Sequence, residues 1–398
     1  MFNKKTVRDI DINNKRVLVR VDFNVPLSQG RVEDDTRIRA ALPTINYLRR
    51  HQAKVILVTH LGRPKGRIDD RLRLDAVAER LSEMLDSPVI KLDKTVTDEV
   101  TAAVSRMLPG DVILLENVRF NPGELTNDPV FARKLADLAD VFVNDAFGTS
   151  HRAHASVVGV ANYLPAVSGF LLEAEITHLT KIIQAPRRPF LAILGGNKIS
   201  DKIGVIERFL DNVDSILTGG GMCFTFLKAK GLSIGKSLVE IEQLETAKNI
   251  LKKAEEKGVS FYIPSDIIVA EEISGETESK AVTVDKIPDG WMGLDIGPRT
   301  IDVYRQVITR AKTIFWNGPM GVFEIKNFAQ GTIQISEAIA KQTQRGALSI
   351  VGGGDSDAAL KKFGLEDEVS FVSTGGGASL RVLEGLALPG MEALADKF

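Results

Sequence analysis

Residues 190–202 have the sequence Phe190-Leu-Ala-Ile-Leu-Gly-Gly-Asn-Lys-Ile-Ser-Asp-Lys202. The apolar run at its start predicts a buried strand, and the apolar spacing that continues to residue 210 predicts a helix. Lys198 and Lys202 therefore lie at a strand-to-helix turn, where the helix N-terminus already favours an anion over a cation. Two lysines at such a turn indicate a phosphate site. For this segment alone, a solvated lysine pair is an equally good interpretation.

The same strand-turn-helix pattern recurs along the chain. Predicted strands cover residues 17–25, 55–59, 112–115 and 141–143 in the first half, and 190–194, 215–217, 313–316, 350–351 and 370–373 in the second. Amphipathic helices separate them; one has apolar residues at 74, 77, 78, 81 and 85, and Asp128-Pro129 is typical of a helix start. The alternation predicts an α/β protein with two doubly wound, parallel-sheet, Rossmann-like domains.

The predicted domain boundary is a helix at residues 169–186, which ends near two prolines, Pro186 and Pro189. Residues 1–168 then form the first domain and residues 187–377 the second, and the helix between them acts as a hinge. A chain of 398 residues with 44% hydrophobic residues is long enough for two or three domains with substantial cores.

Composition excludes several classes of function. The net charge of −1 argues against a general nucleic-acid or membrane-surface binder, and no apolar run approaches the ~18 residues that span a bilayer. The single cysteine, Cys223, rules out an internal disulfide framework and is best explained as a small core residue. The N-terminus has no apolar signal core, so we expect a cytoplasmic protein.

Polar and cationic residues follow the predicted strands of the first half. In open α/β sheets ligands bind beyond the carboxyl ends of the strands, so these positions carry the functional signal. Each arginine alone is most simply a solvated or ion-paired surface charge. Together with His60, four arginines are predicted to converge on one rim and bind a small polyanion: Arg37, Arg63, Arg119 and Arg152.

The turns of the second half are rich in glycine, at residues 219–221, 317–321, 352–356 and 375–377. Glycine lets the backbone approach a ligand closely, as a nucleotide site requires. No dinucleotide fingerprint occurs, and residues 231–237 fall one residue short of a Walker A loop, which we take as a chance near miss. Asp355 is either a helix cap or a carboxylate that helps to hold Mg²⁺ on phosphates.

Seven motifs, in order over nearly the whole chain, carry a resemblance to the phosphoglycerate kinases. They are Arg20-Val-Asp-Phe-Asn-Val-Pro26, His60-Leu-Gly-Arg-Pro64, Glu116-Asn-Val-Arg-Phe120, Asn144-Asp-Ala-Phe147, Gly195-Gly-Asn-Lys-Ile-Ser-Asp-Lys202, Trp316-Asn-Gly-Pro-Met-Gly321 and Gly352-Gly-Gly-Asp355.

The resemblance implies that the first domain binds 3-phosphoglycerate or 1,3-bisphosphoglycerate through Asp22, Phe23, Asn24, Arg37, His60, Leu61, Gly62, Arg63, Arg119 and Arg152. It implies that the second binds MgADP or MgATP through Lys202, Gly219, Gly220, Gly293, Asn317, Glu324, Gly353, Gly354, Asp355 and Ser356, with Mg²⁺ held by Asp355 and the phosphates. It also implies that the segment after residue 377 returns to the first domain and that the protein is a monomer.

The implied reaction is reversible phosphoryl transfer between 1,3-bisphosphoglycerate and ADP. Attacking and leaving groups are both anionic oxygens, so no general base is needed, and catalysis depends on positive charge and alignment. We assign these to Arg37, Lys198, Lys202 and the metal, with support from Gly375 and Gly376. Because the substrates bind different domains, the domains must close before transfer.

Two alternatives share parts of this pattern. A nicotinamide dehydrogenase has the same architecture but needs a glycine fingerprint and an acidic ribose ligand that the chain lacks. A non-catalytic binder of small anions explains the arginines but not Lys198 and Lys202 beside glycine-rich turns. Two residues depart from the family pattern: Asn197 stands where alanine or serine is more frequent, and Ser356 stands where threonine is common.

Overall fold

The computed structural model describes residues 2–397, which divide into two compact units. The first unit comprises residues 2–177 and 386–397, and the second comprises residues 178–385. The division falls within the helix Phe170–Gln184. The chain returns to the first unit at Leu386, and the preceding helix Gly377–Leu383 packs against the helix Ile203–Phe209 of the second unit.

The first unit contains a six-stranded sheet in which every pair of neighbours is parallel. The parallel α/β fold predicted from the sequence is therefore confirmed for this unit. From edge to edge the strands are Val89–Lys91, Val112–Leu114, Lys54–Val58, Arg16–Arg20, Val141–Asn144 and Ala166–Ser168. A separate two-stranded hairpin pairs Leu27–Ser28 with Arg31–Val32.

The first predicted strand is shorter than expected. It ends at Arg20 instead of residue 25, and the following residues form a loop at the carboxyl edge of the sheet. The loop is held by side chains: the N–H of Phe23 donates to Thr59 Oγ1 at 2.9 Å. An apolar alternation that continues beyond the strand thus marks a buried loop, which delivers polar side chains to the candidate site.

Helices connect most of the strands of this sheet. The α-helices are Thr36–Arg50, Asp75–Leu85, Asp98–Ser105, Pro129–Ala136, Phe170–Gln184 and Pro389–Glu392, and the 3-10 helices are Asp70–Leu72, Val118–Phe120, Pro122–Glu124, Phe147–Thr149 and Gly159–Asn162. The predicted cap at Asp128 is confirmed, because its carboxylate accepts the N–H of Phe131 at 2.7 Å while Pro129 occupies the first helical position.

The second unit contains another six-stranded parallel sheet, as predicted. In order across the sheet the strands are Ser260–Tyr262, Ser215–Thr218, Phe190–Leu194, Thr313–Asn317, Leu348–Gly352 and Phe371–Ser373. Trp316 is fully buried on a central strand, where its indole N–H donates to the carbonyl of Gly318 at 2.8 Å.

A three-stranded antiparallel sheet in this unit was not predicted. It consists of Ser279–Thr283, Asp266–Ala270 and Met292–Ile296, with the second strand in the centre and a bulge between Ile268 and Val269. Its edge strand is polar and partly exposed, so it has no apolar run that sequence patterning could detect.

The remaining helices surround these sheets. The α-helices of the second unit are Ile203–Phe209, Cys223–Ala229, Leu244–Glu256, Pro298–Ile308, Gln330–Gln344, Gly354–Phe363 and Gly377–Leu383, and the 3-10 helices are Ile241–Gln243, Val284–Lys286, Lys326–Phe328 and Glu366–Glu368. Within residues 2–397, none of the helices has both the length and the apolarity needed to cross a membrane.

Asn144 joins the C-terminal segment to the first sheet. Its buried amide donates to the carbonyl of Gly390 at 2.9 Å and to Ser150 Oγ at 3.1 Å, and its oxygen accepts the N–H of Ala146 at 3.1 Å. The N–H of Gly390 donates in turn to the carbonyl of Ser150 at 2.9 Å.

Asn144→Ala should therefore loosen the first unit, because it leaves buried polar groups without partners at a cost of roughly 1–3 kcal/mol. Amide hydrogen exchange of first-unit peptides would measure the change. Tryptophan fluorescence would not, since Trp291 and Trp316 both lie in the second unit. Asn13→Ala, at an exposed position, is the matched control. Equal protection in the Asn144 and Asn13 variants would contradict this account.

Candidate active site

Two neighbouring strands of the first sheet lead into a cluster of polar side chains. The strand Arg16–Arg20 pairs with Lys54–Val58, so the loops that follow them meet at one edge. There Asp22 accepts Arg37 Nη1 at 2.9 Å, and Asn24 Oδ1 accepts the N–H of Gly62 at 2.8 Å. These two contacts join the first loop to the helix Thr36–Arg50 and to the second loop.

Arg119 is the least satisfied cation of this cluster. It is only 5% exposed, and its Nη1 donates to the carbonyl of Gly62 at 2.8 Å. Its Nε and Nη2 have no hydrogen-bond partner within residues 2–397. Burial, together with the charges of Arg20 and Arg152, lowers the pKa of Arg119 to about 10. A buried guanidinium with two unused donors is built to receive an anion.

Arg20, which is fully buried, fixes the state of His60. Its Nε donates to Ser156 Oγ at 2.9 Å and its Nη2 lies 3.2 Å from His60 Nδ1. A guanidinium can only donate, so Nδ1 must be the acceptor and the imidazole proton must be on Nε2. Burial first, and then the surrounding arginines, lower the pKa of His60 well below its usual value. His60 therefore presents a neutral N–H donor.

Sequence reasoning missed Glu124 and Ser156, which lie behind this cluster. Glu124 is fully buried, and its carboxylate accepts the hydroxyl of Ser156 at 2.7 Å and the N–H of Ser156 at 2.9 Å. Ser156 thereby links a buried carboxylate to the buried Arg20. No periodicity or motif in the sequence marks Glu124, because its burial depends on a 3-10 turn packed beneath the cluster.

The structure brings together most of the residues that were predicted to bind the three-carbon substrate in the first domain. Besides burial, the charges of four arginines lower the pKa of His60, and these arginines are Arg20, Arg119, Arg37 and Arg152. Arg152 is half-buried, and its Nε donates to His151 Nε2 at 3.1 Å. The remaining predicted cation, Arg63, is exposed, and its guanidinium has no ion pair among the described residues. Phe23 and Leu61 are buried and place the backbone of the two loops.

In the second unit, three glycine turns follow three adjacent strands and pack directly on one another. Gly195 donates its N–H to the carbonyl of Asn317 at 2.9 Å, and Gly220 donates to the carbonyl of Met320, also at 2.9 Å. A Cβ on Gly220 would lie 2.6 Å from the backbone of Gly196, and Gly220 also has a φ of +63°. Any side chain there would separate the turns. The result is a surface of closely spaced backbone groups.

A cavity of about 540 Å³ opens beside these turns. Four of the residues predicted for the nucleotide border it: Gly220, Gly293, Glu324 and Asp355. Gly219 lies behind the lining, where a Cβ would be 2.6 Å from Met320 Sδ. The apolar walls were not predicted; they include Phe224, Leu238, Ile267, Met292 and Val322. A Cβ on Gly293 would overlap the ring of Phe224, so this glycine gives the cavity its width.

Lys198 and Lys202, the two lysines of residues 190–202, differ in their environments. The helix begins at Ile203, so Lys202 is its N-cap residue and Lys198 lies in the preceding turn. Lys202 is 9% exposed and its Nζ hydrogen-bonds to Asn317 Oδ1, while burial lowers its pKa against the charges of Asp201 and Asp355. Lys198 is exposed. Nothing in the structure explains Asn197, which is exposed and borders the cavity.

The remaining predicted residues lie at or just after the ends of three strands of the same sheet, and Asn317 ends the first of these strands. Its amide donates to the carbonyl of Gly352 at 2.7 Å, and Ser356 Oγ accepts the N–H of Gly318 at 2.6 Å. Gly353, with a φ of +96°, starts the helix Gly354–Phe363, which has Asp355 exposed in its first turn. The turn that contains Gly375 and Gly376 leads into the helix Gly377–Leu383, which packs on the helix behind Lys202.

Each unit thus offers an anion site at the carboxyl edge of a parallel sheet. One is lined by arginines and suits a small polyanion, and the other combines glycine turns, a buried lysine and a nucleoside-sized cavity. This combination defines the class of the two-domain α/β kinases, which bind a phosphate acceptor and a nucleotide on separate domains.

Comparisons with known proteins specify the family. A family model described as phosphoglycerate kinase matches residues 7–386. The phosphoglycerate kinase of Dictyoglomus turgidum is 57% identical over 397 residues, which cover 99% of this chain and 100% of the relative; that of Thermosynechococcus vestitus is 55% identical with the same coverage. The solved structure of phosphoglycerate kinase from Coxiella burnetii shares 44% identity and a TM-score of 0.86, over 98% of both chains. The chain belongs to the phosphoglycerate kinase family, and it is a glycolytic kinase.

His60 should stay neutral on acidification. Its folded-state pKa lies below the usual 6.5, so the ring of the folded protein is expected to keep its neutral Nε2–H form from pH 7 to pH 5, while the same ring in urea-unfolded protein titrates near 6.5. Because only the unfolded state binds the proton, His60 lowers the free energy of unfolding as the pH falls below 6.5. Ring ¹⁵N shifts of labelled protein would measure this, and a folded-state midpoint near 6.5 would refute it.

Proposed function

We propose that this chain catalyses the reversible transfer of a phosphoryl group from the acyl phosphate of 1,3-bisphosphoglycerate to MgADP, giving 3-phosphoglycerate and MgATP. Membership of the phosphoglycerate kinase family supports this reaction. The assignment of substrate-binding residues rests mainly on Arg119. Its buried guanidinium has two N–H donors that no described residue uses. A small phosphorylated carboxylate would supply the missing acceptors.

The first unit would bind the three-carbon substrate. Arg119 and Arg152 would bind its phosphate, because planar guanidinium groups match phosphate oxygens in pairs. The Nε2–H of His60 would donate to a further oxygen. Asp22, held in place by Arg37 at 2.9 Å, is an acceptor for the substrate hydroxyl. Arg63 would reach the same substrate from its exposed position, and Asn24 would keep Gly62 and its loop in place.

The second unit would bind the nucleotide. The apolar cavity would hold the base beside Gly220 and Gly293, and the carboxylate of Glu324 at its border suits the ribose hydroxyls. The phosphates would lie on the glycine turns and the start of the helix Gly354–Phe363, within reach of Lys202, Gly353 and Ser356.

The carboxylate of Asp355, at the border of the cavity, suits Mg²⁺. Asp355 is an exposed carboxylate that borders the cavity, and Mg²⁺ is typically bound by one or two carboxylates together with substrate phosphates and water. Asp355 would hold the ion next to the phosphates. When bound, the ion would supply positive charge that stabilises the phosphate oxygens.

Catalysis would rest on charge and alignment, since no proton is transferred. Lys198, Arg37 and Lys202 would stabilise the equatorial oxygens of the transferring group, and the backbone N–H groups of Gly375 and Gly376 would add further donors. The lowering of the pKa of Lys202 by burial does not oppose this role, because binding of an anion raises the pKa of a buried ammonium group.

For this reaction to occur, the two units would have to approach each other. Reacting atoms must come within about 3–3.5 Å, and the two substrates are assigned to different units. We place the hinge in the helix Phe170–Gln184 and in the segment after Gly375, and we expect closure to exclude water from the acyl phosphate. The monomeric state and the cytoplasmic location expected from the sequence belong to this proposal as well.

Solution scattering tests closure. The radius of gyration should decrease when 3-phosphoglycerate and MgADP are both bound, a pair that cannot react, and it should decrease less with either ligand alone. The two binary complexes are the matched controls. A ternary complex with the radius of the free protein would rule out closure.

Lys198→Ala tests the transition-state role. Its turnover number should fall by about 10²–10³, the usual loss for one preorganised donor, while MgATP binding is largely retained. A coupled assay of 3-phosphoglycerate-dependent ATP consumption, with calorimetry of MgATP binding, would measure both. Lys230→Ala removes another exposed lysine of the same unit and should leave turnover unchanged. Wild-type turnover in Lys198→Ala would remove this residue from the mechanism.

A further inference from the structure

A short segment of the second unit, residues 235–240, fastens two parts of the nucleotide site to each other; we name it the strap. At its start, Lys236 donates its N–H to the carbonyl of Trp291 at 2.8 Å. Gly235 has a φ of +56° and lies against the backbone of the same loop. Ser237 Oγ then accepts the N–H of Gly293 at 2.9 Å. The strap therefore begins on the strand that forms the wall of the nucleoside cavity.

At its other end, the strap holds the lysine loop, residues 195–202. Glu240 Oε1 accepts the hydroxyl of Ser200 at 2.5 Å, and Oε2 accepts the N–H of Ser200 at 3.1 Å. Glu240 is itself anchored, because its N–H donates to the buried Thr225 Oγ1 at 3.2 Å. One carboxylate thus engages Ser200 with both oxygens.

The carboxylate of Glu240 is kept ionised by the loop it holds. Partial burial acts to raise its pKa, but the hydrogen bonds from Ser200 and from the N–H of Ile199, together with the charge of Lys198, lower it below its usual value. Charge-assisted hydrogen bonds of this kind are about twice as strong as neutral ones. Glu240 is therefore a firm anchor at neutral pH.

Lys198 depends on this anchor. Its side chain is exposed, and among residues 2–397 it has no ion pair or hydrogen bond of its own. Two residues before Lys198 is Gly196, with a φ of +89°, and directly after Lys198 is the buried Ile199. Lys202, by contrast, is fixed by its own bond to Asn317. The position of Lys198 is thus set by the backbone of residues 199–200, which Glu240 holds.

We propose that Glu240 is a positioning residue for phosphoryl transfer, and that it acts by fixing the lysine loop so that Lys198 meets the transferring group. This inference rests on the proposed role of Lys198. Glu240 is placed to act through that loop and not on the reacting atoms. Alignment errors of about 1 Å in a catalytic group cost up to about 100-fold in rate, so a carboxylate remote from the reaction can have a large effect.

Kinetics of single variants test the proposal. Glu240→Ala should lower kcat by about 10-fold to 100-fold, with the KM for 3-phosphoglycerate within about twofold of wild type, because only alignment is lost. Ser200→Ala, at an exposed position, should lower kcat in the same direction, and Ser200→Thr, which keeps the hydroxyl, should restore it. Glu242→Ala removes an exposed carboxylate two residues away and is the matched control. Circular dichroism would verify folding of each variant.

A double variant separates positioning from general damage. If Glu240 acts through Lys198, Glu240→Ala should lower kcat no further in a Lys198→Ala background. Multiplied losses, or wild-type kcat in both Glu240→Ala and Ser200→Ala, would overturn the inference and leave the role of Lys198 intact. Normal turnover in Lys198→Ala alone would instead refute the proposed role of Lys198, and the inference with it.

Discussion

The structure depends on holding positive charge in buried places without cancelling it. A buried cation is costly unless it is paired, yet a cation that is fully paired cannot bind a substrate anion. The first unit resolves this conflict at a distance. Glu124 faces Ser156, and Ser156 faces Arg20, so one compensating carboxylate lies behind the cluster, while Asp22 within the cluster pairs with Arg37 and not with Arg119. Arg119 consequently keeps two free donors among the described residues.

In the second unit, neutral groups hold the buried cation in place and leave its charge available to a substrate anion. Lys202 is buried against the amide of Asn317, whose other end is bound to the backbone of Gly352. No carboxylate is needed for this contact, so the charge of the lysine remains available to a phosphate. The close packing of the glycine turns has the same purpose, because it presents backbone N–H groups that carry partial positive charge and require no counter-ion.

The sequence predicted those features that local chemistry determines. The two parallel sheets followed from alternating strand and helix patterns, and the cap at Asp128 followed from the residues around it. Glu124, Ser156 and Glu240 could not be predicted this way, since each acts through a partner 32 to 40 residues away in the chain. Patterning also missed the strand Ser279–Thr283, which has too few apolar residues to show a period. Long-range polar contacts leave no local signature.

Two buried titratable groups, His154 and Asp145, change the stability of the first unit in opposite directions as the pH falls. Burial lowers the pKa of His154 to about 4, so between about 6.5 and 4 only the unfolded state binds its proton and stability falls with falling pH. Burial raises the pKa of Asp145 to about 6, so between about 3.8 and 6 the folded state binds the proton more tightly and stability rises with falling pH. Each shift corresponds to about 3 kcal/mol. The windows overlap between pH 4 and 6, where the two effects oppose each other. The burial that keeps the histidines neutral beside the arginines is thus offset by a carboxyl group buried at the start of the helix Phe170–Gln184.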